Sequence, residues 1–338
     1  MTPPDQRFSR QVSLIGQGAQ DKIRSSHVAV VGAGGLGSPA LLYLAGAGVG
    51  HVSIIDDDVV ELSNLHRQVI HDTAGVGKRK TESARDAMLA LNPDLHITVV
   101  NERLNRDNSV DILRGADVVL DGTDNFNTRH VVSAACATLG VPHVWASILG
   151  FDAQLSVFHA GHGPVYEDLF PAPPAPGAVP SCAEAGVLGP LVGIVGSAMA
   201  SEALKLVTGL GTPLIGTLGY FSSLDGRWDY LPVAGSPETV DRLLREGPPS
   251  QGVREVSTIP DGALLIDVRE PHEYATSHRP GARNVPLQLI LDGKWLPPEG
   301  ETVVMYCASG QRSATAVAAL AARGIVGPAS LIGGDGGI

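Results

Sequence analysis

Cys307-Ala308-Ser309-Gly310-Gln311-Arg312-Ser313 holds a thiol and a guanidinium in a run of small side chains, with four residues between them. The apolar segment Glu301 to Tyr306 predicts a strand before this loop, and the small residues from Ser313 predict a helix after it. A strand running into a helix aims the intervening backbone N–H groups, and the positive end of the helix dipole, at whatever Cys307 carries. That field favours a charged sulfur, either thiolate or persulfide. Phosphate-enclosing loops of phosphatases place five residues between Cys and Arg, so a spacing of four sizes this loop for one sulfur atom. Sulfur transfer is the chemistry this pattern supports. The competing reading makes Cys307 a small core residue, since free cysteine is among the most buried residue types.

A second set of chemical residues lies in the first half of the chain. His27 to Val31 reads as a β-branched strand, Gly32-Ala33-Gly34-Gly35-Leu36-Gly37 as a tight loop, Ser38 to Val49 as a helix and His51 to Ile55 as the next strand. Asp56 follows 19 residues beyond Gly37, which completes a Rossmann-type nucleotide fingerprint in its structural context. That string fits NAD or ATP, and the surrounding residues decide between them. Asp56, Asp58, Asn64, Arg67 and Gln68 cluster after the second strand, Lys80 opens a predicted helix to Leu91, and Asp121-Gly122-Thr123-Asp124-Asn125 closes a further strand at Val118 to Asp121. Arginine and lysine clamp polyphosphate charge, and a carboxylate at a strand end holds Mg²⁺. Hydride transfer needs no such clamp, so ATP is the expected ligand. Asp57 and Glu61 read as a solvated loop. Strands at His96 to Val100 and His143 to Ser147, with a helix at Asn125 to Leu139, complete a doubly wound α/β sheet that binds its ligand at the strand carboxyl ends.

The chain has 338 residues, enough for two domains, and a net charge of -11. That charge argues against nucleic acid or an anionic membrane surface as a partner. No run approaches the ~18 apolar residues of a membrane span, and Met1 to Gln6 is no signal peptide, so a cytoplasmic protein is expected. Cys136, Cys182 and Cys307 suggest no disulfide framework, and Cys136 reads as helix core. The histidines show no metal-ligand spacing.

Several motifs together make the first ~235 residues resemble the MoeB/ThiF-like adenylyltransferases, relatives of the ubiquitin-activating enzymes. They are Arg7-Phe8-Ser9-Arg10-Gln11, the glycine loop, Asn64-Leu65-His66-Arg67-Gln68, Lys80, Asp121 to Asn125 with Arg129, and Ser181-Cys182-Ala183-Glu184-Ala185-Gly186-Val187. Leu264 to Glu270, Glu273-Tyr274, His278 to Pro286 and the Cys307 loop resemble a rhodanese-like sulfurtransferase domain. The fusion resembles the MoeZ-type sulfurylases. The implied organisation is residues 1–235 as the ATP-binding domain, 236–251 as a hinge-like linker containing a short amphipathic helix, and 252–338 as the rhodanese-like domain.

The resemblance implies roles as well. Gly32, Gly34, Gly35, Gly37, Asp58, Gln68, Asn125 and Arg129 belong to the nucleotide site. Asp56 holds the ribose, Asn64, Arg67 and Lys80 the phosphates, and Asp124 the Mg²⁺. Arg10 reaches the nucleotide of the other subunit, which implies a homodimer. Cys307 accepts sulfane sulfur, Arg312 stabilises the persulfide or the donor anion, and Cys182 forms a thioester or mixed disulfide with the activated carrier. The implied reaction is adenylation of the Gly-Gly carboxylate of a ubiquitin-like sulfur carrier, then conversion to a thiocarboxylate. Pathways of this type make molybdopterin, thiamine, cysteine or thiolated tRNA, with thiosulfate or a cysteine desulfurase as sulfur donor. Many relatives hold a structural zinc on two C-x-x-C pairs. Tyr166-Glu167-Asp168-Leu169 and Pro232-Val233-Ala234-Gly235 stand there instead, so no structural zinc is expected. The chain stops at Ile338, where a rhodanese-like domain usually adds a last helix. The alternative is therefore an adenylyltransferase whose second domain is inactive.

Overall fold

The structure, a computed structural model, describes residues 6–174, 186–249, 253–256, 258–308, 310–331 and 334. They fall into two compact units, the first built from residues up to Pro171 together with 186–249, the second from 253 onward.

The first unit is organised by an eight-stranded sheet. Its strands are β1 (His27–Val31), β2 (His51–Ile55), β3 (His96–Val100), β4 (Val118–Asp121), β5 (His143–Leu149), β6 (Asp152–Phe158), β7 (Thr217–Ser222) and β8 (Arg227–Pro232), in the order β3-β2-β1-β4-β5-β6-β7-β8. The first five are parallel, and β6, β7 and β8 turn antiparallel. Near-continuous burial of β1, β2 and β4 reflects helices on both faces of the parallel part. The strand order reverses between β1 and β4, where Val31 pairs with Asp121. A crevice must open beyond the carboxyl ends at that point, and both the glycine loop and Gly122 to Asp124 leave the sheet there.

The helix after the loop runs Gly37–Ala47, one residue earlier at its start and two at its end than the expected Ser38 to Val49. Gly48, at φ +83°, adopts the left-handed conformation that stops it. Ala40, Leu41, Leu44 and Ala45 in this helix are fully buried against the sheet. The helix Gly189–Thr208 corrects the expectation that no run approaches membrane-span length, for it is long and apolar enough by composition. Its Leu191, Val192, Val195, Met199, Ala200 and Ala203 are buried in the same core as β1 and β4, and Glu202 bonds the Leu214 N–H. The helix Pro237–Glu246 buries Leu243 against Ala134 and Val165 of the first unit.

The second unit has five parallel strands: β9 (Glu255–Val256), β10 (Leu264–Asp267), β11 (Arg283–Asn284), β12 (Val303–Tyr306) and β13 (Ala329–Leu331), in the order β11-β10-β12-β13-β9. β10 stops at Asp267, earlier than the expected Glu270, because the Asp267 carboxylate receives both the N–H and the side chain of Arg269 and turns the chain. The central strand β12 is fully buried and delivers Cys307, and the helix Gln311–Ala321 begins two residues before the expected Ser313.

Candidate functional site

In the first unit the glycine loop is shaped by close backbone packing. A Cβ on Gly37 would lie 1.9 Å from the Gly32 carbonyl oxygen, and one on Gly32, at φ +93°, would press on the Gly122 backbone at 3.2 Å. An alanine at Gly37 would force the loop off the sheet, an overpacking cost of about 1–3 kcal/mol. Gly34 and Gly35 differ, since an added Cβ would meet only the Gln68 Nε2 at 3.6 Å or the Val192 side chain from 3.3 Å. The fold tolerates side chains better there, so their glycines suit the close approach of a ligand.

Ala33 is held from both sides. Its N–H donates to Asp56 Oδ2 at 2.8 Å, and its carbonyl oxygen lies 3.0 Å from His71 Nε2. A carbonyl only accepts, so His71 carries its proton on Nε2 while Nδ1 accepts from the Ser83 hydroxyl at 3.0 Å. Burial lowers the His71 pKa, which keeps this tautomer neutral. His71 is a loop-positioning residue that the sequence left unassigned.

Asp56 also accepts the Asp58 N–H at 2.8 Å. Burial pushes its carboxyl up to about 6, against the opposing pull of Lys80. Lys80 is itself buried, and its Nζ reaches Asp58 Oδ2 at 2.7 Å. Although burial alone would lower it, the carboxylates of Asp56, Asp58 and Asp124 hold Lys80 above the usual lysine range. Asp56, Asp57 and Asp58 bring three carboxylates within 4.8 Å of one another. Asp124 is exposed, stands outside that triad and lines a small pocket with Gly35, Leu36, Gly122, Thr123 and Arg129.

Other expected nucleotide residues have duties within the chain. Asn64 is buried and bonds the Glu61 N–H at 3.2 Å. Arg67 bonds the Ser63 carbonyl at 3.2 Å, close to His66 Nε2 at 2.9 Å. Gln68 is buried under Gly34, with no partner for its Oε1 among the described residues. Asn125 caps the helix Phe126–Leu139 by accepting the Thr128 N–H at 2.9 Å. Arg129 donates to the Thr123 carbonyl at 3.0 Å and lies over the Phe126 ring at 5.0 Å. Arg10 is exposed on the helix Ser9–Ile15. Cys182 lies outside the described residues. Cys136 is core, and burial drives its thiol pKa well up.

In the two segments weighed for a structural zinc, the acidic side chains are already engaged. Glu167 is buried and bonds His130 Nδ1 and the Ser133 hydroxyl, each at 2.7 Å. Asp168 accepts the N–H groups of Val165 at 2.9 Å and Ser236 at 3.2 Å, and a Cβ on Gly235 would lie 2.9 Å from Pro164. The two segments touch directly and offer no thiolate, so this donor set does not fit a structural zinc.

In the second unit Cys307 is fully buried in an apolar cluster, as the competing reading held, yet its sulfur also has polar neighbours. Its Sγ accepts the Gly310 N–H at 3.1 Å at the start of an 11-residue helix. Gly310 takes φ +85° to aim that N–H. The Ser313 hydroxyl lies 3.9 Å from the sulfur, donates to the Gly310 carbonyl at 3.0 Å and meets the Ser330 hydroxyl at 2.8 Å. Arg312 turns its fork onto Glu273, whose carboxylate accepts from both terminal nitrogens, at 2.6 and 2.8 Å. That bidentate pairing, which no spacing in the sequence announces, lowers Glu273 to about 2.

A switch-point crevice floored by a glycine loop defines a nucleotide-dependent α/β enzyme, and a cysteine cradled at a helix start defines a sulfur-handling loop. Known proteins agree with both: residues 8–240 match the ThiF family and residues 253–335 the rhodanese-like domain, so the chain belongs to the ThiF family and carries a rhodanese-like domain. It is 42% identical over 356 aligned positions to the probable adenylyltransferase/sulfurtransferase MoeZ of Mycobacterium tuberculosis, covering 97% of this chain and 91% of that protein. It is 47% identical over 238 positions to the sulfur carrier protein adenylyltransferase of Thermus thermophilus, covering 68% of this chain and 88% of the relative. The crystal structure of E. coli MccB with MccA-N7isoASN superposes with a TM-score of 0.62 at 22% identity, covering 69% of this chain and 73% of that one, a likeness of fold.

Proposed function

We propose that this chain is an adenylyltransferase and sulfurtransferase that activates the C-terminal carboxylate of a small sulfur carrier protein with ATP and converts it to a thiocarboxylate with sulfur held on Cys307. The observation that carries this reading is one chain joining a carboxylate-and-lysine crevice at a glycine loop to a cysteine whose sulfur accepts a backbone N–H at a helix start.

A carboxylate is a poor electrophile at neutral pH, and adenylation removes that barrier. The carrier carboxylate attacks the α-phosphorus of ATP and pyrophosphate leaves. Asp56 takes the ribose, the loop N–H groups of Gly34 and Gly35 face the phosphates, and Lys80 with Arg67 offsets the charge that grows there. Mg²⁺, held through Asp124, supplies further charge neutralisation when bound. Arg10, exposed on its helix, serves the nucleotide of a second copy in a homodimer. No zinc is assigned to the segments Tyr166 to Leu169 and Pro232 to Gly235.

In the second stage the terminal sulfur of a Cys307 persulfide attacks the acyl carbon, and AMP departs with its electron pair, leaving an acyl disulfide. A second thiolate, for which Cys182 is the candidate, attacks the Cys307 sulfur of that link. It forms a protein disulfide and releases the thiocarboxylate. A carrier ending in Gly-Gly suits a narrow approach to the α-phosphate.

The test mixes the protein with Mg-ATP, thiosulfate and a set of carriers ending in Gly-Gly, and reads each carrier by intact mass. Conversion of one terminal carboxylate to a thiocarboxylate is expected. An adenylate without sulfur would leave the first unit working alone.

The Asp56 assignment makes a separate prediction about stability. A carboxyl raised to about 6 when folded binds more protons than the unfolded chain between pH 4 and 6, so it lowers stability as pH rises through that window. Asp56→Asn removes this penalty. In nucleotide-free protein its unfolding free energy, compared with wild type, should rise by roughly 2 kcal/mol between pH 4 and pH 8. The same variant should lose the thermal shift that ATP gives wild type. A penalty that persists in the variant would show that Asp56 is not its source.

A further inference from the structure

Arg312 is the one cation in the sequence from Cys307 to Ser313, and Glu273 occupies its fork with two bonds of 2.6 and 2.8 Å. The pair is half-buried, with 36% and 29% of the two side chains exposed, so solvent screens it only in part. Glu273 is not free to drift away, because its Oε2 also caps its own helix by accepting the Glu270 N–H at 2.9 Å. Arg269 acts electrostatically on both partners but is itself forked onto Asp267 at 2.7 to 3.1 Å. Both guanidinium groups that bear on Glu273 are therefore already forked onto carboxylates.

We infer that Glu273 is a specificity-determining residue of the sulfur-accepting loop: its carboxylate fills the guanidinium fork that a small dianion such as thiosulfate needs, so the loop is built for donors presenting sulfur as a singly charged persulfide. The inference rests on the sulfurtransferase reading of Cys307. Both charging reactions balance. With thiosulfate, the Cys307 thiolate attacks the outer sulfur, the S–S bond breaks, and sulfite leaves with the electron pair and two negative charges. With a persulfide donor, the same attack expels a thiolate carrying one charge. Only the first must bring a second negative charge past Glu273, and only it must displace Glu273 to reach Arg312.

The test compares wild type with Glu273→Gln, which keeps an acceptor for the Glu270 N–H and for Arg312 while removing the charge. Sulfur transfer to cyanide is followed with thiosulfate and with the persulfide of 2-mercaptoethanol, and Cys307 loading is read by intact mass. The variant should show a KM for thiosulfate roughly five- to tenfold below wild type, with kcat and the 2-mercaptoethanol persulfide kinetics unchanged. An equal or higher KM for thiosulfate, or loss of transfer from both donors, would overturn the inference and leave Glu273 a structural anchor of Arg312. Failure of both donors to load Cys307 in both proteins would instead bring down the sulfurtransferase reading along with it.

Discussion

Cys307→Ala should abolish thiocarboxylate formation while ATP–pyrophosphate exchange with the carrier continues at the wild-type rate. The substitution removes the only sulfur atom seated in the loop, and no neighbour replaces it, since the Ser313 hydroxyl is engaged with Gly310 and Ser330. The fold should survive. Alanine is smaller than cysteine and the site is buried, so the expected cost is on the order of 1 kcal/mol. In the proposed reading exchange belongs to a separate compact unit, and its glycine loop, Asp56 and Lys80 do not include Cys307. Intact mass of the carrier and isotope exchange with pyrophosphate read the two stages independently. Loss of both activities would contradict a division of labour between two sites, and a thiocarboxylate made by the alanine variant would remove Cys307 from the chemistry. Gly334 offers a gentler version of the same test, because an added Cβ there would lie 2.2 Å from the Cys307 carbonyl oxygen and displace the loop without removing the sulfur.

The features legible in the sequence were those encoded over short spans. The five parallel strands of the first unit and its glycine loop follow from β-branched runs and glycine punctuation, and Gly32 and Gly37 are glycines for the reason such a fingerprint exists, close backbone approach. The antiparallel strands β6, β7 and β8 were not anticipated, although Asp152–Phe158 and the start of Arg227–Pro232 alternate polar and apolar residues; β8 is exposed along most of its length, so its alternation marks no buried face. The helix Gly189–Thr208 was missed because small residues such as Gly193, Gly196 and Ser197 hide its core stripe. Gly196 is there so that the helix can lie against the Leu36 carbonyl, 2.3 Å from where a Cβ would be. The site residues that went unread act across long separations. His71 meets Ala33 from 38 residues away, and Glu273 meets Arg312 from 39. The capping box at Glu270 and Glu273 lacks the usual Ser or Thr at its start, and nothing in one dimension tied Glu273 to the cysteine loop. Asn125, expected at the nucleotide site, also holds the cap of a helix, a role that acts over three residues.

Lys80→Met should cut carrier-dependent pyrophosphate exchange by about 10²- to 10³-fold, a loss of the size seen when one preorganised group facing transition-state charge is removed. Methionine retains most of the buried volume and deletes the ammonium, so the effect isolates charge. Lys80 is a buried cation bonded to the Asp58 carboxylate, and it also feels Asp56 and Asp124. Without it the triphosphate would meet those carboxylates with a net repulsion at the atom where negative charge grows. The same deletion acts on Asp56. Burial already raises that carboxyl to about 6, and Lys80 is the strongest influence holding it down, so the variant should titrate Asp56 higher still. Nucleotide affinity in Lys80→Met should therefore begin to fall at a higher pH than in wild type as the solution is acidified, because a protonated Asp56 no longer accepts from the ribose as a carboxylate. A purely structural lysine would weaken exchange without moving that pH profile. Sulfur transfer from a persulfide donor to cyanide should remain at the wild-type rate, since it depends on Cys307 in the other unit. Normal exchange by the methionine variant would overturn the nucleotide assignment, and with it the order of events in which the carboxylate is activated before sulfur is delivered.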